Sequence, residues 1–294
     1  CFCIDWRMHF CLIVAFLTLF ALPCWAKSPD PFTNPFDNPV DDPDLPRVLI
    51  IGDSISIAYT PLVRKLLHGK ANVHRPTTSC RWSAFGGENI EGWIGESEWD
   101  LIHFNFGLWD WYGWKQEQKA TPASYAKNLD DIVQKLKKTN AKLVFAVTTP
   151  ACLGPERKVK MVVSEARAQE FNMSALAVMK KHGVHINDLY SLIGKDRVKY
   201  QRGEDDAHYT EEGRDLLAKQ VAQVIEQESS KRAIALLRWG MDFGIYFPMD
   251  PVSVEPPPTM PVMLPSLVLK YIWSAGWERM RGVRPFYRFI KNME

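Results

Sequence analysis

A serine hydroxyl and a histidine imidazole lie far apart in the chain, each in a setting that suits nucleophilic chemistry. Ser54 ends the turn Gly52-Asp53-Ser54, which directly follows a short apolar run. A serine hydroxyl is a poor nucleophile near neutral pH unless a neighbouring base takes its proton. His208 is a candidate for that base, because it ends the acidic run DDAH just before an amphipathic segment.

Asp205 could orient the imidazole of His208, which it precedes by three residues. Its carboxylate would hold the near ring nitrogen and leave the far nitrogen facing Ser54. Each motif has a simpler explanation when taken alone, since Asp-Ser turns often cap helices and a DxxH run can be a polar loop. The two motifs together are more specific. We predict Ser54 as nucleophile, His208 as base and Asp205 as its acid.

Short apolar runs alternate with amphipathic segments through the middle of the chain, and this alternation predicts the elements that would position the motifs. The strand candidates are residues 47–51, 100–106, 142–147 and 184–186, and the helix candidates are residues 57–67, 124–138, 162–181 and 209–227. Such alternation is typical of an α/β domain with a parallel sheet between helical layers. Reactive groups in these sheets gather at the carboxyl ends of the strands.

The two ends of the chain depart from this pattern. Residues 10–22 form an unbroken apolar run whose length suits a signal peptide better than a membrane span. We expect residues 1–27 to be a signal peptide, or alternatively an N-terminal anchor, and the protein to be secreted or periplasmic. Residues 28–46 are rich in Pro and Asp and predict an extended acidic linker.

The remaining residues divide into one domain and a tail. We expect one α/β domain over residues 47–230, which carries both motifs. Residues 231–294 form a C-terminal tail of unknown role, in which repeated prolines preclude a long helix. Contact with a membrane is expected only through the leader or this tail.

Composition excludes several classes of protein. The 294 residues carry 36 Lys and Arg against 34 Asp and Glu, which is not the basic balance of a nucleic-acid-binding protein. Six cysteines are too few for a disulfide scaffold. Only Cys80 and Cys152 lie outside the expected leader. In an oxidising compartment they could pair, or they could remain free thiols.

Four blocks of sequence resemble the SGNH hydrolase superfamily of GDSL-type esterases and lipases. They are RVLIIGDSIS at residues 47–56, the glycine-containing stretch after Ser83, FGLWD at residues 106–110 and DDAHYTEEG at residues 205–213. The resemblance implies a three-layer α/β/α, flavodoxin-like fold with a mostly parallel central sheet. It also implies a serine esterase of carboxylic esters with the same three catalytic residues. Neither a metal nor an organic cofactor is implied.

The resemblance further implies an oxyanion hole with three donors. These are the backbone N–H of Ser54, that of a glycine in the second block, and an asparagine in the third. Gly86 is the favoured glycine, with the adjacent Gly87 as the alternative. A glycine at this position lets the backbone approach the oxyanion without a side chain in between.

The third block departs from the Gly-x-Asn-Asp pattern of the family, because the chain reads Gly107-Leu108-Trp109-Asp110. Trp109 therefore occupies the asparagine position, and its indole N–H is a bulkier and differently placed donor. Either Trp109 donates to the oxyanion, or Asn105 or Asn89 compensates, or the activity is weak.

Six tryptophans lie between the second and third blocks or close to them: Trp82, Trp93, Trp99, Trp109, Trp111 and Trp114. Aromatic rings near such a site can stack on sugars, although burial in the core accounts for tryptophans equally well. We expect a small ester or an acetylated glycan as substrate. The alternatives are a non-catalytic glycan-binding or scaffold protein on the same fold, and an O-acyltransferase that uses the same residues.

Overall fold

A sheet of short parallel strands forms the centre of the protein. The computed structural model describes residues 32–113, 120–150, 164–194, 196–203 and 206–242. The strands are β1 (Arg47–Ile51), β2 (Asn72–His74), β3 (Leu101–Phe104), β4 (Lys142–Ala146) and β5 (His185–Asn187). Their order is β2-β1-β3-β4-β5, and every neighbouring pair is parallel.

This strand order is that of flavodoxin-like folds, and it determines where a site can form. The order reverses between β1 and β3, so the connections that leave these strands diverge and open a crevice at their carboxyl ends. Ile51 and Phe104 are paired at the ends of the two strands. The turn that contains Ser54 and the loop that leads to Gly107 therefore border the same crevice.

Helices cover the two faces of the sheet. They are α1 (Ser54–Leu66), α2 (Ser83–Ile94), α3 (Leu108–Tyr112), α4 (Pro122–Lys137), α5 (Glu165–His182), α6 (Leu189–Gly194), α7 (Arg197–Tyr200) and α8 (Glu211–Asp242). One layer contains α1 packed against α8, and the other contains α4 packed between α2 and α5. The predicted three-layer α/β/α fold is confirmed.

Helix α4 shows how the sequence specifies one of these layers. Thr121 caps its N-terminus, accepting a hydrogen bond from the Ser124 N–H at 3.1 Å, and Pro122 occupies the first turn, where its missing N–H costs nothing. The helix buries an apolar stripe at helical spacing, as its sequence predicted: Tyr125, Leu129, Ile132, Val133 and Leu136.

A short hairpin precedes the last helix. Strands β6 (Gln201–Gly203) and β7 (Asp206–Tyr209) are antiparallel, and α8 begins at Glu211. The sequence predicted a helix from Tyr209, so the start of α8 and the strand before it differ from that expectation. The hydroxyl of Thr210 accepts a hydrogen bond from the Gly213 N–H at 3.2 Å and caps the first turn.

Residues 32–46, the described part of the expected linker, lie along β2 and α1. The Asn38 side-chain oxygen accepts hydrogen bonds from the Arg75 N–H at 2.9 Å and from the Arg64 guanidinium at 2.8 Å. The Asp42 N–H donates to the Asn72 side chain at 3.0 Å. The expected leader and the tail beyond residue 242 lie outside the described residues. Among the helices that are described, none combines the length and apolar character that a membrane span requires.

Candidate active site

Ser54 is the first residue of α1, immediately beyond the carboxyl end of β1. Asp53 caps this helix, and its buried carboxylate accepts a hydrogen bond from the Ile55 N–H at 3.0 Å. Burial raises the pKa of Asp53 to about 6. The Ser54 N–H belongs to the first helical turn, where the helix offers no carbonyl partner and the helix dipole favours negative charge. Ser54 is half-buried, so its hydroxyl can be reached.

His208, on β7, faces the Ser54 hydroxyl. Its Nε2 lies 3.0 Å from Ser54 Oγ, and its Nδ1 lies 2.6 Å from Asp206 Oδ1. The same carboxylate oxygen accepts a hydrogen bond from the His208 N–H at 2.9 Å. In this network Nδ1–H donates to the carboxylate, which leaves Nε2 to accept the proton of the serine hydroxyl. Partial burial raises the pKa of Asp206, but the hydrogen bonds from His208 outweigh burial and hold it below its usual value.

The carboxylate that contacts the imidazole thus belongs to Asp206, whereas the sequence predicted Asp205. Asp205 itself lies outside the described residues. The prediction placed the DxxH run in a turn at the start of a helix, but the structure has a strand there. Residues two apart in a strand point to the same side, which places Asp206 beside His208.

The glycine pair of the second block occupies a different position from the one predicted. Gly86 and Gly87 lie inside α2, where the Gly86 N–H donates to the Trp82 carbonyl at 2.9 Å and is not available to an oxyanion. A Cβ on Gly86 would lie 2.4 Å from the Phe106 ring, so this glycine lets α2 pack closely against the chain that follows β3. The Gly87 carbonyl accepts a hydrogen bond from Lys135 Nζ at 2.8 Å.

Asn105 does not present its amide hydrogens to the crevice. Its Nδ2 donates to the Ala146 carbonyl at 2.7 Å and to Thr148 Oγ1 at 3.0 Å. Asn105 therefore links the carboxyl ends of β3 and β4, instead of acting as the compensating donor that the sequence suggested. Asn89, the other residue suggested for that role, donates to the Phe85 carbonyl at 2.8 Å within α2.

Trp109 lies in the first turn of α3, half-buried, with its ring centroid 5.9 Å from that of Trp82. Gly107 caps this helix with φ +149°, and a Cβ there would come within 2.2 Å of Thr148 Oγ1. A glycine is therefore required where the chain turns from β3 into α3. The requirement fixes the direction in which α3 leaves the sheet, and so the position of Trp109.

Arg81 borders the nucleophile turn, and sequence reasoning missed it. The neighbouring Cys80 N–H donates to the Gly52 carbonyl at 3.2 Å, which joins this segment to the turn that carries Ser54. Arg81 has φ +55°, in the left-handed region that favours glycine. No pattern in the sequence marks an arginine for such a conformation. A glycine at this position would have indicated a left-handed backbone conformation.

A buried guanidinium contacts the nucleophile turn and the first turns of α1. Arg75 is 2 % exposed, and its nitrogens lie 3.3 Å from Ser56 Oγ, 3.1 Å from Thr60 Oγ1 and 3.4 Å from the Gly52 carbonyl. Burial lowers the pKa of Arg75. Nearby, Cys80 is a buried free thiol whose pKa burial raises to about 12, while Cys152 lies outside the described residues.

A second buried carboxylate joins α2 to α3. Asp110 is fully buried and accepts hydrogen bonds from the Ser83 hydroxyl at 2.6 Å and from the Ser83 N–H at 3.0 Å. The Ser83 hydroxyl also accepts a hydrogen bond from Asn128 Nδ2 at 3.0 Å. Burial raises the pKa of Asp110 to about 7. This contact holds the first turns of the two helices together.

A small cavity lies next to the nucleophile turn. Its volume is about 10 Å³, close to that of one water molecule, and Asp53, Ile55 and Leu108 are among the residues that line it. Across the described residues, no group of three or more potential metal ligands comes together. The groups described around Ser54 are a hydroxyl, an imidazole, carboxylates and backbone N–H groups, a set suited to acyl transfer.

Comparison with known proteins agrees with this geometry. The model of the GDSL-like lipase/acylhydrolase family matches residues 50–216, a stretch that includes both Ser54 and His208. The chain belongs to this family. The resemblance drawn from the four sequence blocks is thereby confirmed. No curated protein sequence matches the chain.

Solved structures of GDSL-type proteins share the fold. A lipase/acylhydrolase from Enterococcus faecalis aligns with a TM-score of 0.53 at 16% identity, over 62% of this chain and 96% of its own. An acetylxylan esterase from Geobacillus stearothermophilus aligns with a TM-score of 0.51 at 14% identity, over 60% and 93%. A GDSL-like lipase from Bacteroides thetaiotaomicron gives 0.51 at 18%, over 65% and 91%. At these identities the likeness establishes the GDSL fold alone.

Proposed function

We propose that this GDSL-family protein hydrolyses carboxylic esters, with Ser54 as nucleophile, His208 as general base and Asp206 as the carboxylate that orients His208. The observation that carries the proposal is the continuous hydrogen-bonded path from the Ser54 hydroxyl through the imidazole to the Asp206 carboxylate. The path joins a hydroxyl, a base and an orienting acid within the reach that nucleophilic catalysis requires.

The reaction divides into two acyl transfers. In the first, Ser54 Oγ attacks the ester carbonyl carbon while His208 Nε2 takes the hydroxyl proton, and a tetrahedral oxyanion forms. The oxyanion collapses, the bond to the alcohol oxygen breaks, and the imidazolium returns its proton to the departing alcohol. In the second, His208 takes a proton from water as the water oxygen attacks the acyl-serine. The bond between the acyl carbon and Ser54 Oγ then breaks, the imidazolium returns its proton to Oγ, and the acid is released.

We assign the oxyanion to two backbone donors. The first is the Ser54 N–H at the start of α1, which the resemblance also implied. The second is the Arg81 N–H. Its support is the Cys80 hydrogen bond to the nucleophile turn together with the left-handed conformation of Arg81, which turns the backbone sharply at this point. This assignment replaces Gly86, whose N–H is bonded within α2.

We propose an acetyl ester of a carbohydrate as the substrate. Acetylxylan esterases are among the solved structures that share the fold, which makes an acetylated glycan a reasonable first choice of substrate. We further propose that the protein acts outside the cytoplasm, on the strength of the apolar run at residues 10–22.

Hydrolysis of p-nitrophenyl acetate by the purified protein, compared with the Ser54→Ala variant, tests the core of this proposal. We expect the variant to lose about 10³-fold or more in kcat, since removing a nucleophile abolishes the acyl-enzyme route. Equal rates for the two proteins would refute the esterase assignment and favour a binding protein on the same fold. Acetyl transfer to an added sugar with little release of acetate would instead favour an O-acyltransferase.

The proposed location outside the cytoplasm is tested by N-terminal sequencing of the exported protein.

A further inference from the structure

Helix α2 has two distinct stripes, and only one of them belongs to the core. The core stripe is fully buried and contains Ser83, Gly86, Ile90 and Ile94. A second stripe, one residue earlier at each step, is half-buried and contains Trp82, Phe85, Asn89 and Trp93. Residues three and four apart lie on one face of a helix, so the second stripe forms a continuous surface beside the core. Large rings stand there, only partly buried, and that of Trp93 also packs against the edge of the core.

The aromatic residues of this second stripe, together with Trp109 of α3, form a connected ladder that we call the aromatic stripe. The centroid of the Trp82 ring lies 5.9 Å from that of Trp109 and 5.5 Å from that of Phe85. The Phe85 ring lies 6.0 Å from that of Trp93, and the Arg81 guanidinium lies 4.7 Å from the Phe85 centroid. Each ring therefore supports the next, which fixes their orientation before any ligand binds.

One end of the aromatic stripe follows directly on the segment that is bonded to the nucleophile turn. Trp82 stands two residues after Cys80, whose N–H is bonded to the Gly52 carbonyl in the nucleophile turn. Trp109 follows Leu108, which lines the small cavity beside Asp53. The buried hydrogen bonds between Ser83 and Asp110, the next residues after Trp82 and Trp109, hold the two tryptophans together. A ligand lying on the stripe would therefore have one end near the turn that carries Ser54.

We infer that the aromatic stripe binds the carbohydrate chain that bears the ester, so that the substrate is an oligosaccharide or polysaccharide and not a small ester. The inference rests on the proposed esterase function. A sugar ring has a flat C–H face and a rim of hydroxyls, and it matches aromatic faces interleaved with polar groups. The Arg81 guanidinium supplies such a group, as does the Asn89 side chain, whose amide also donates to the Phe85 carbonyl. The acyl chain of a lipid would instead favour an uninterrupted apolar groove.

The length of the stripe indicates more than one sugar. The Phe85 ring lies 5.5 Å from that of Trp82 and 6.0 Å from that of Trp93, so the two tryptophan centroids are separated by at most about 11 Å. That span exceeds a single sugar ring. Trp82 and Trp109 would hold the sugar that carries the ester, and Trp93 would contact only a sugar further along the chain.

Chain-length dependence of hydrolysis tests this arrangement. The probes are acetylated xylose, acetylated xylo-oligosaccharides of increasing length and p-nitrophenyl acetate. We expect kcat/KM per acetyl group to rise with oligosaccharide length in the unmodified protein. In Trp93→Ala that rise should shrink by about three- to tenfold, the range of one aromatic contact, with a much smaller change on acetylated xylose. Trp93→Phe should restore most of the rise, because the ring face is retained.

Two controls separate the possible outcomes. Met173→Ala removes an exposed apolar side chain from α5 and should leave the length dependence as it is. Binding of the longest oligosaccharide to the Ser54→Ala protein, measured by calorimetry with and without Trp93→Ala, gives a readout that needs no turnover. Thermal unfolding verifies that each variant is folded. If Trp93→Ala does not fold, Trp93→Phe is used to test the site.

The inference is overturned if oligosaccharides are hydrolysed no better than acetylated xylose, or if Trp93→Ala affects all substrates equally. It is also overturned if the variant selectively loses activity on long-chain acyl esters, which would identify the stripe as a lipid site. If the dependence on chain length and on Trp93 is absent while Ser54-dependent hydrolysis of p-nitrophenyl acetate remains, only the glycan site is refuted. Absence of any Ser54-dependent hydrolysis would refute the proposed function.

Discussion

His208 Nε2 lies 3.0 Å from Ser54 Oγ, although 154 positions separate the two residues in the chain. Ser54 begins the first helix after β1, and His208 lies on a strand just before the last helix. Because α1 and α8 pack together on one face of the sheet, the starts of both helices lie near the carboxyl ends of the strands. The packing of these two helices is therefore what turns two distant motifs into one site.

Asp206→Asn should lower kcat on p-nitrophenyl acetate by about 10- to 1,000-fold with little change in KM. The amide cannot stabilise the imidazolium that forms during attack, and it disturbs the tautomer that leaves Nε2 facing Ser54. The half-exposed position of Asp206 admits water as a partial substitute, which limits the loss. Steady-state kinetics from pH 5 to pH 9 would measure the loss in kcat.

Asp205→Asn is the matched control, since it makes the same chemical change one residue earlier. We expect it to retain most of the activity, because the described contacts to the imidazole come from Asp206. A loss confined to the Asp205 variant would restore the sequence-based assignment. Equal losses in both variants would mean that the two carboxylates share the role.

Arg81→Gly and Arg81→Val should differ in stability by about 1–2 kcal/mol in favour of glycine. Both variants remove the guanidinium and its contact with Phe85, so their difference reports the backbone alone. Glycine adopts φ +55° without cost, whereas a β-branched residue is strained there. We expect Arg81→Val to lower kcat as well, because the strain falls on the proposed oxyanion donor. Urea unfolding and p-nitrophenyl acetate kinetics measure the two effects.

Asn140 provides the comparison, since its φ is +56° and it lies in the turn after α4. Asn140→Gly and Asn140→Val should show a similar difference in stability, with kcat unchanged in both. If the Arg81 pair differs in stability but not in kcat, the Arg81 N–H is not an oxyanion donor.

The sequence predicted the site in outline because its motifs are local. Gly52-Asp53-Ser54 is a contiguous turn, and its position after β1 required no knowledge of the rest of the chain. The choice between Asp205 and Asp206 depended on whether the segment was a strand or a helical turn, and four residues carry too little periodicity to decide that. The position of Arg81 could not be predicted, because a left-handed arginine is imposed by the surrounding structure.

The sequence predicted the strands and helices with clear apolar patterns, and the prediction failed where the pattern was short or interrupted. Strands β1, β3, β4 and β5 all lie within or beside the predicted runs. Strand β2 has only three residues, Asn72–His74, two of them polar, and its burial comes from pairing with β1 and from the segment of residues 32–46. Helix α2 was missed because three glycines weaken its helical pattern, and one of them, Gly86, is needed for packing against Phe106.

Asp110 should make the protein less stable as pH rises from about 4 to about 7. Burial raises its pKa in the folded state to about 7 from 3.8, so the unfolded chain loses this proton first. Between these values the unfolded state binds fewer protons, and the free energy of unfolding falls by up to about 1.4 kcal/mol per pH unit. The contribution is complete below about pH 4 and is lost as pH rises through 7. Asp110→Asn should remove this dependence between pH 6 and 7.5, above the raised pKa of Asp53, as measured by urea unfolding.

Asp130→Asn controls for the loss of any carboxylate. Hydrogen bonds from Lys181 and His182 hold the pKa of Asp130 far below its usual value. A carboxylate whose pKa is lowered on folding stabilises the protein at any pH above its pKa in the unfolded chain, and this stabilisation is lost only on acidification. The variant should therefore not alter the slope of the free energy of unfolding between pH 5 and 7.5. An Asp110→Asn protein that retains the slope of the parent would show that the buried Asp110 is already ionised.

Glu228→Gln should destabilise the protein by about 1–3 kcal/mol, because it removes the charge of a buried carboxylate that pairs with two more exposed lysines. Glu228 is 2 % exposed on α8, and its carboxylate lies 2.9 Å from Lys142 Nζ and 2.7 Å from Lys231 Nζ. Lys142 begins β4, so the cluster joins the last helix to the sheet. Glu226→Gln makes the same change two residues earlier, where Glu226 and its partner Lys70 are each half exposed, and should cost under about 0.5 kcal/mol. Equal losses in the two variants, measured by urea unfolding at neutral pH, would show that burial of Glu228 adds nothing to its ion pairs.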